Sequence, residues 1–378
     1  MACANQLRNM PLDRSASAPT PGTPAPTGKL PDFFIIGAPK CGTTALAEYL
    51  SNHPDVFMAR KEMHHFGADL HFGSQIFRRK EAAYLAEFTG WNGQLLAGEA
   101  SVWYLYSKQA AAEIKAFNPK ARIIIMVREP AEMLYALYYQ FRLDGNEHLP
   151  TFGQALAAEA DRRAGRGLSR STYFGQGLYY REVARYTEQI RRYIELFGRE
   201  QVHVVVYDDF AADTVRAYGK VLEFLGLQAR QPVSSFQVIN PAQAVRSPFL
   251  RSIMSDPLVR GTAVAMHAWL PRRAFAWLQQ MEGRLMRFNF RPAKRPQLDD
   301  AVRRSIELEF APEVERLSQL LGRDLTYWSR GEHRIGSSAG LDLAAKFQPG
   351  PVMGQISGQA GNGFGGREPT SLRTCSKP

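Results

Sequence analysis

Cysteine and long apolar runs are both scarce in this sequence of 378 residues. Of three cysteines, Cys3 and Cys375 lie near the ends, and Cys41 lies in a glycine-containing loop, where we interpret it as a spacer rather than a nucleophile. These cysteines make no plausible disulfide framework, which favours a reducing compartment. The N-terminus has no apolar signal-peptide core, and no run reaches the roughly 20 apolar residues that span a bilayer. We therefore expect a cytoplasmic protein.

Acidic residues are outnumbered by basic ones. The chain has 47 Lys and Arg against 36 Asp and Glu, a formal net charge of +11. This excess favours an anionic partner such as a nucleotide, a nucleic acid, a membrane surface or an acidic glycan, and general solubility is the plain alternative. A hydrophobic content of 45% is sufficient for one large α/β domain or two small ones.

The two ends of the chain have compositions that cannot bury a core. Residues 1–30 are rich in Pro, Ser, Thr and Ala, and residues 345–378 are rich in Gly, Pro and Ser. We predict a disordered leader and a flexible tail there, with one folded domain at 31–332.

Between these ends, short apolar runs alternate with amphipathic segments. The predicted strands are residues 33–37, 95–99, 122–127 and 202–207, and the predicted helices are residues 43–53, 107–118, 131–142, 180–197, 214–225 and 299–321. Buried strands separated by helices predict an α/β fold, with a central parallel sheet between two helical layers. Ligands of such sheets bind outside the carboxyl ends of the strands, where Lys40, Glu99 and Arg128 occur.

The stretch FFIIGAPKCGTTALAEYL, residues 33–50, combines an apolar strand, a glycine-containing loop and a helix. This order is typical of phosphate binding, because loop N–H groups and the helix N-terminus face the anion. Lys40 adds a positive charge, and Thr43 and Thr44 add hydroxyl donors. A Walker A loop places its lysine after the second glycine, whereas Lys40 precedes Gly42. The residues alone therefore predict an anion-binding loop that is not a standard Walker A loop.

The order Pro-Lys-x-Gly-Thr-Thr resembles the 5′-phosphosulfate loop of sulfotransferases that use 3′-phosphoadenosine 5′-phosphosulfate (PAPS), closest to the carbohydrate, heparan-type and bacterial branch. The resemblance spans roughly residues 32–330 and is best before Phe210. It implies a three-layer, P-loop-like domain with PAPS as donor, 3′,5′-bisphosphoadenosine (PAP) as product and no required metal. The implied donor-binding residues of this loop are Pro39, Lys40, Cys41, Gly42, Thr43 and Thr44.

In a second family pattern, Arg-Asn-Pro-x-Asp/Glu-Arg-x-x-Ser, the first arginine and the serine bind the 3′-phosphate of the donor. Here IIIMVREPAEMLYALYYQF matches it at Arg128, Pro130 and Glu132, while Ala136 occupies the serine position. The resemblance therefore implies Arg128 as the 3′-phosphate contact, with one hydroxyl missing. The fixed fork of an arginine suits paired phosphate oxygens. A structural ion pair at the strand end is the alternative for Arg128.

Two further donor contacts are implied by the resemblance. Tyr179 ends a Gly-x-Tyr that resembles the start of the family's matching helix, and a core or capping role is its alternative. Arg246, with Ser247, lies where the family has a basic loop that contacts the 3′-phosphate.

Two stretches resemble the reaction centre of the family. ARKEMHHFGADLHF resembles its Lys-Glu-x-x-x-Phe segment and implies that Lys61 contacts the reacting sulfonate, while Lys40 neutralises the bridging oxygen. GEASVWY resembles the Gly-Glu-Lys-Ser-x-x-Tyr motif, whose glutamate is taken as the catalytic base, and so implies Glu99.

Rival interpretations exist for the polar residues of these stretches. Glu62, His64 and His65 are alternative bases. A metal site formed by the histidines lacks matching ligands, so we predict none. Asp208 and Asp209 follow an apolar strand as a Walker B acid would, but we favour a structural role for both.

The segment 258–295 mixes arginine with aromatic residues at helical spacing. A helix covering the core is its plain interpretation, and an acceptor lid or a weak membrane-surface contact are the others. The sequence as a whole thus predicts a sulfotransferase that acts on a hydroxyl or amine of an unidentified carbohydrate, lipid or natural product, and not on nucleic acid. The alternatives are a P-loop kinase or NTPase and a non-catalytic PAP-binding protein.

Overall fold

The computed structural model describes residues 29–73, 80–228 and 295–331, together with the backbone of residues 243–245 and 290–292. Most of the predicted leader, the whole predicted tail and Arg246 with Ser247 lie outside these residues. So does the segment 258–295, apart from residues 290–292 and Arg295.

Strands and helices alternate along the chain. The strands are β1 (Phe33–Ile35), β2 (Val56–Met58), β3 (Leu96–Ala100), β4 (Arg122–Val127), β5 (Val202–Val206), β6 (Gln243–Val245) and β7 (Phe290–Pro292). The α-helices are α1 (Thr43–Ser51), α2 (Glu81–Leu85), α3 (Ala110–Phe117), α4 (Pro130–Asp144), α5 (Phe152–Ala157), α6 (Glu159–Arg163), α7 (Tyr180–Val183), α8 (Tyr186–Phe197), α9 (Tyr207–Ala212), α10 (Thr214–Leu225) and α11 (Asp300–Leu321). Short 3-10 helices are Ala86–Phe88, Gln176–Leu178, Arg199–Gln201 and Thr326–Ser329.

The central sheet has five parallel strands in the order β2-β3-β1-β4-β5. Every residue of β1 is buried, and so is every residue of β4 after Arg122. Because successive side chains of a strand point to opposite faces, both faces of the sheet must be covered by helices. The predicted three-layer α/β architecture is therefore confirmed.

Strand register brings the predicted functional segments to one edge of the sheet. Phe34 of β1 lies opposite Glu99 of β3 on one side and Ile123 of β4 on the other. The carboxyl ends of these three strands therefore lead into neighbouring loops. The described helices include none that combines the length and the apolar character needed to cross a bilayer.

One predicted helix is in fact two. The amphipathic pattern over residues 180–197 predicted a continuous helix, but the chain leaves helical geometry at Arg185, with φ −80° and ψ 71°, between α7 and α8. The side-chain amide of Gln189 donates to the carbonyls of Glu182 and Val183, at 2.9 and 3.3 Å. The Glu182 carbonyl also accepts from the N–H of Arg185, so the amide and one backbone N–H together satisfy the carbonyls at the end of α7, which periodicity does not reveal.

The last helix packs against two of the helices that flank the sheet, α8 and α4. Asp299 caps α11 by accepting from the N–H of Val302 at 3.0 Å. The helix meets α8 where the N–H of Thr187 donates to Glu313 at 2.8 Å. Its first turns reach α4 through Arg303, which bonds Glu132.

Candidate active site

The loop after β1 presents an uncapped helix N-terminus. Lys40 has φ 61° and Gly42 has φ 91°, so the chain turns twice through the left-handed region. A Cβ at Gly42 would lie 3.2 Å from the ring of Tyr207, so glycine is needed both for its conformation and for space. No side chain caps α1, and its first turn contains no acidic residue. Its N–H groups and the helix dipole therefore form a site suited to an anion.

Cys41 lies inside this loop and is fully buried. Its Sγ donates to the carbonyl of Pro39 at 3.4 Å. Burial raises the pKa of the thiol to about 12, so Cys41 stays protonated at neutral pH. This agrees with its interpretation as a spacer.

Two lysines flank the loop. Nζ of Lys61 lies 2.7 Å from Oγ1 of Thr44 and 3.1 Å from Oγ1 of Thr43. Nζ of Lys40 lies 3.1 Å from Oε1 of Gln140 on α4. Desolvation lowers the pKa of both lysines, and each also lies near other charges. The predicted Lys61 thus lies beside the two threonines, while the side chain of Lys40 extends from the loop to α4.

Glu62 stands next to Lys61 and is open to the site. Its carboxylate lies 3.6 Å from Nζ of Lys61 and 3.3 Å from Nε2 of His64, and it accepts a bond from the N–H of Val102. The side chain of Glu62 is 24% exposed. Burial raises its pKa, against the opposing charge of Lys61. Burial lowers the pKa of His64 to about 4, so His64 is neutral at pH 7 beside Glu62.

Glu99, by contrast, is completely enclosed. Its Oε2 accepts from the hydroxyl of Tyr84 at 2.6 Å, and its Oε1 accepts from Ser101 and Tyr104, each at 2.7 Å. We call these three residues the hydroxyl frame. Burial raises the pKa of Glu99, while the three hydroxyls act in the opposite direction. A carboxylate with no exposed surface cannot meet an acceptor directly, so the geometry favours Glu62 over Glu99 as base.

At the other end of the site, three arginines surround Glu132. Nη2 of Arg128 and Nη2 of Arg295 each lie 3.1 Å from its Oε2, and Arg303 bonds its Oε1. We call Arg128, Arg295 and Arg303 the arginine cluster. Burial tends to raise the pKa of Glu132, but Arg128 and Arg303 outweigh it and lower that pKa.

Two neighbours complete the arginine cluster. The guanidinium of Arg128 lies 4.6 Å over the ring of Tyr207, and its Nη1 is 3.5 Å from the carbonyl of Lys40. Arg303 also lies 3.4 Å from Glu129, which is 5% exposed. Burial raises the pKa of Glu129 to about 8, although Arg303 opposes this shift.

One face of α4 connects the arginine cluster with Lys40. Glu132, Ala136 and Gln140 are spaced by four residues and therefore lie along one side of the helix. Eight residues of helix separate Glu132 from Gln140 by about 12 Å. Ala136 lies between them, buried and without a polar group. Lys40 and the arginine cluster thus contact the same face of α4, and Nη1 of Arg128 also reaches the carbonyl of Lys40.

Other predicted residues lie elsewhere. Tyr179 packs under the guanidinium of Arg163 at 5.1 Å, and its hydroxyl is 3.4 Å from the carbonyl of Arg162, so its contacts are with α6 rather than the loop. His65 is buried and stacks on Tyr84 at 4.2 Å, which does not favour it as a base. In the described ranges, no three His, Cys, Asp or Glu side chains form a group that could hold a metal ion.

The acidic pair after β5 has structural partners. Oδ2 of Asp208 accepts from the hydroxyl of Tyr327 at 2.8 Å and from Nε1 of Trp328 at 2.7 Å. Asp209 binds the guanidinium of Arg323 through both carboxylate oxygens. These contacts bear out the structural role that we favoured for both residues.

Sequence reasoning missed three residues of the site. Gln140 carried a signal, since it lies four and eight residues after two positions of the 3′-phosphate pattern. Arg295 was part of the basic segment but was not singled out. Arg303 reaches Glu132 from 171 residues away, and no local pattern predicts such a contact.

Comparison with known proteins identifies similar sequences. Residues 30–240, more than half of the chain, match the family described as the sulfotransferase domain. The chain is 28% identical over 276 residues to carbohydrate sulfotransferase 15 of Rattus norvegicus, covering 59% of this chain and 49% of that protein. It is 29% identical over 204 residues to heparan sulfate glucosamine 3-O-sulfotransferase 5 of Homo sapiens, covering 53% of this chain and 55% of that protein. The chain therefore spans about half the length of these relatives.

A solved structure agrees in fold. The sulfotransferase from Alicyclobacillus acidocaldarius is 28% identical and superposes with a TM-score of 0.56, covering 79% of this chain and 99% of that chain. The likeness extends over nearly the whole of that bacterial protein.

Proposed function

Because the chain belongs to the sulfotransferase family, we propose that it transfers a sulfuryl group from PAPS to a hydroxyl or amine. The observation that carries this proposal is that Lys40 and the arginine cluster contact one face of α4, through Gln140 and Glu132. Lys40 and Lys61 suit a 5′-phosphosulfate at the loop, and Arg128 with Arg295 suits a 3′-phosphate. A donor with two separated anionic groups fits both.

The loop residues would act on the leaving group. As the acceptor oxygen or nitrogen bonds to sulfur, the bond from sulfur to the 5′-phosphate oxygen breaks, and the phosphate keeps the electron pair. The N–H groups at the start of α1 and the ammonium of Lys40 stabilise that growing charge. Lys61, held against Thr43 and Thr44, is placed for the sulfonate oxygens. Fixed charges of this kind dominate group transfer to and from phosphates.

Glu62 is our candidate for the base. The acceptor must lose a proton as it attacks, and Glu62 is the partly exposed carboxylate beside Lys61. Neutral His64 lies 3.3 Å from it. Its raised pKa makes it a stronger base than an ordinary carboxylate, while leaving it ionised when the pH is above that value. Arg295 is our candidate for the second 3′-phosphate contact, where Ala136 supplies no hydroxyl.

The acceptor we propose to test first is a carbohydrate. The support is that the similar proteins are named as carbohydrate and heparan sulfate glucosamine sulfotransferases. Lipid and small natural-product acceptors belong in the same panel, since no contact in the described residues identifies the acceptor.

Calorimetric titration of the purified chain tests the donor. We expect PAP to bind tightly without metal and ATP with Mg²⁺ to bind weakly. The reverse result would favour a kinase or NTPase. Such an enzyme would use Asp208 or Asp209 for Mg²⁺, but these residues bond Tyr327 and Arg323. Radiolabelled sulfate transfer from PAPS to desulfated glycosaminoglycans, glycolipids and phenols then tests catalysis. Tight PAP binding with no transfer to any acceptor would favour a non-catalytic binding protein.

A further inference from the structure

Residues 61–66 carry Lys61, Glu62 and His64 but form no helix or strand. Their backbone N–H groups therefore lack the partners that regular structure would supply, although most of these residues are buried. His64 also has φ 49°, a left-handed conformation that non-glycine residues adopt at a cost. Something outside the segment must hold it in this shape.

Two hydroxyls accept from four consecutive N–H groups of the segment. Oγ of Ser101 accepts from Met63 and His64, at 3.0 and 3.2 Å. The hydroxyl of Tyr104 accepts from the next two residues, 65 and 66, at 2.8 and 3.4 Å.

The same arrangement continues one step further along the chain. The carboxylate of Glu113 accepts from the N–H groups of Gly67 and Ala68, at 2.6 and 3.2 Å. Three side chains thus each satisfy two successive N–H groups, and together they fix the backbone from residue 63 to residue 68.

The orientation of the two hydroxyls depends on Glu99. A hydroxyl has one hydrogen and two lone pairs. In Ser101 and Tyr104 the lone pairs face the segment's N–H groups, so each hydrogen must point away from the segment. Both hydrogens point to Oε1 of Glu99. An acceptor at this position keeps both hydroxyls in the orientation that the segment requires.

We propose that Glu99 is a positioning residue: through Ser101 and Tyr104 it holds the 61–66 segment and thereby aims Glu62 and Lys61 at the reacting group. This inference rests on the proposed sulfuryl transfer and on Glu62 as base. Glu99 itself neither touches the acceptor nor takes its proton.

The third member of the frame provides a matched control. Tyr84 donates to Oε2 of Glu99 and has no hydrogen bond to the N–H groups of residues 63–66. Tyr84→Phe and Tyr104→Phe remove the same atom from two fully buried tyrosines bonded to one carboxylate. Only Tyr104→Phe also removes an acceptor from the segment.

Three readouts test the proposal: hydrogen exchange at residues 63–66, PAP affinity, and kcat with the best acceptor of the panel. We expect Tyr104→Phe to speed exchange at residues 65 and 66 at least about tenfold. Its kcat should fall about 10- to 100-fold, as misplacement of catalytic groups predicts, with PAP affinity unchanged. Ser101→Ala should likewise lower kcat without changing PAP affinity, with faster exchange at residues 63 and 64. This variant replaces Tyr104→Phe in the test if Tyr104→Phe does not fold. Tyr84→Phe should leave all three readouts close to wild type.

Glu99→Gln separates positioning from proton transfer. The amide oxygen of glutamine can accept from Ser101 and Tyr104, and its NH₂ can donate to a rotated Tyr84 hydroxyl. We therefore expect kcat within about threefold of wild type, because the hydrogen bonds are conserved. A loss of turnover in Glu99→Gln as large as in Glu62→Gln, with unchanged exchange, would overturn the proposal and restore Glu99 as base. Equal effects of Tyr84→Phe and Tyr104→Phe on kcat and on hydrogen exchange would also overturn the proposal. If wild-type protein fails to bind PAP, the proposed function fails, while the exchange comparison still tests the frame.

Discussion

Glu132 and Glu99 are carboxylates of the same site, but their neighbours differ in charge. Glu132 is bonded by three guanidinium groups, which lower its pKa, whereas Glu99 is bonded by three hydroxyls, and burial raises its pKa. Glu132 holds three arginines together, and these arginines retain further N–H donors for an anionic ligand. Glu99 accepts from three neutral hydroxyls and thereby orients them. The arginine cluster is thus suited to binding, and the hydroxyl frame is suited to positioning.

This difference leads to separable expectations. Changes in the arginine cluster should alter donor affinity and its dependence on salt, because charge–charge interactions are screened by ions. Changes in residues 61–66, or in Ser101 and Tyr104 that hold them, should alter turnover and its dependence on pH. Each variant below tests this separation.

The largest effect should come from Glu62→Gln. Loss of the base should lower kcat about 10³-fold, within the range for general base catalysis. PAP affinity should not change, since Glu62 has no role at either phosphate. Steady-state kinetics and calorimetry measure the two quantities, and Glu188→Gln, an exposed glutamate on α8, is the matched control. Near-normal turnover would transfer the base role to another residue.

The pH profile of the wild-type enzyme sharpens this prediction. Because burial raises the pKa of Glu62, activity should be lost as the pH falls through a midpoint above the ordinary glutamate value of about 4.3. His64, with a pKa of about 4, should stay neutral over most of this range. A midpoint at or below the ordinary value would contradict the assignment.

Lys40→Ala should follow, with kcat lower by about 10²- to 10³-fold, as for other fixed groups that stabilise developing charge. Its side chain contacts Gln140 at the surface of the cleft, so the melting temperature should stay close to wild type. Kinetics with calorimetry of unfolding would check both points, with Lys108→Ala as control. A variant that turns over normally would remove Lys40 from the mechanism.

Arg128→Ala should weaken PAP binding about 10- to 100-fold, the value of a charge-assisted contact to phosphate. Binding of 5′-AMP, which lacks the 3′-phosphate, should be much less affected. The salt dependence of PAP affinity should also decrease, as measured by titration at increasing KCl. Arg191→Ala, a surface arginine paired with Glu188, should change neither ligand. Equal weakening of PAP and 5′-AMP would place Arg128 away from the 3′-phosphate.

The smallest effect concerns stability beside the arginine cluster. The folded-state pKa of Glu129 is raised to about 8 from an ordinary value of 4.5, so its contribution to stability is present at low pH and lost as the pH rises toward 8. Glutamine cannot ionise. The melting temperature of Glu129→Gln minus that of wild type should therefore increase by a few degrees between pH 5 and pH 8.5, as measured by calorimetry. A difference that is constant over this range would refute the buried, protonated carboxyl.

The sequence was sufficient for four of the five strands of the central sheet and for its longer helices. Helix α10 was predicted to the residue, and the loop after β1 has the expected position and neighbours. Periodicity could not reveal the break at Arg185, because the apolar face continues through it. Strands β2, β6 and β7 and the short helices α2, α5, α6 and α9 were also missed, since three to six residues are too few for a periodic signal.

The site was predicted in part. The Glu-x-Ser motif identified Glu99 but could not distinguish a base from a buried acceptor, because that depends on which side chains surround it in space. The contact of Arg303 with Glu132 depends on the packing of α11 against α4, which no local sequence pattern predicts. Tyr179 and Arg246 remain untested as donor contacts, the first bonded toward α6 and the second outside the described residues.

Helix α4 also constrains how this protein can vary. It runs without a break from Pro130 to Asp144, and Glu132 and Gln140 lie about two turns apart on one face. Inserting a single residue between them would rotate Gln140 about 100° around the axis and move it away from Lys40. Relatives that use the same donor should therefore agree in residue count along this stretch.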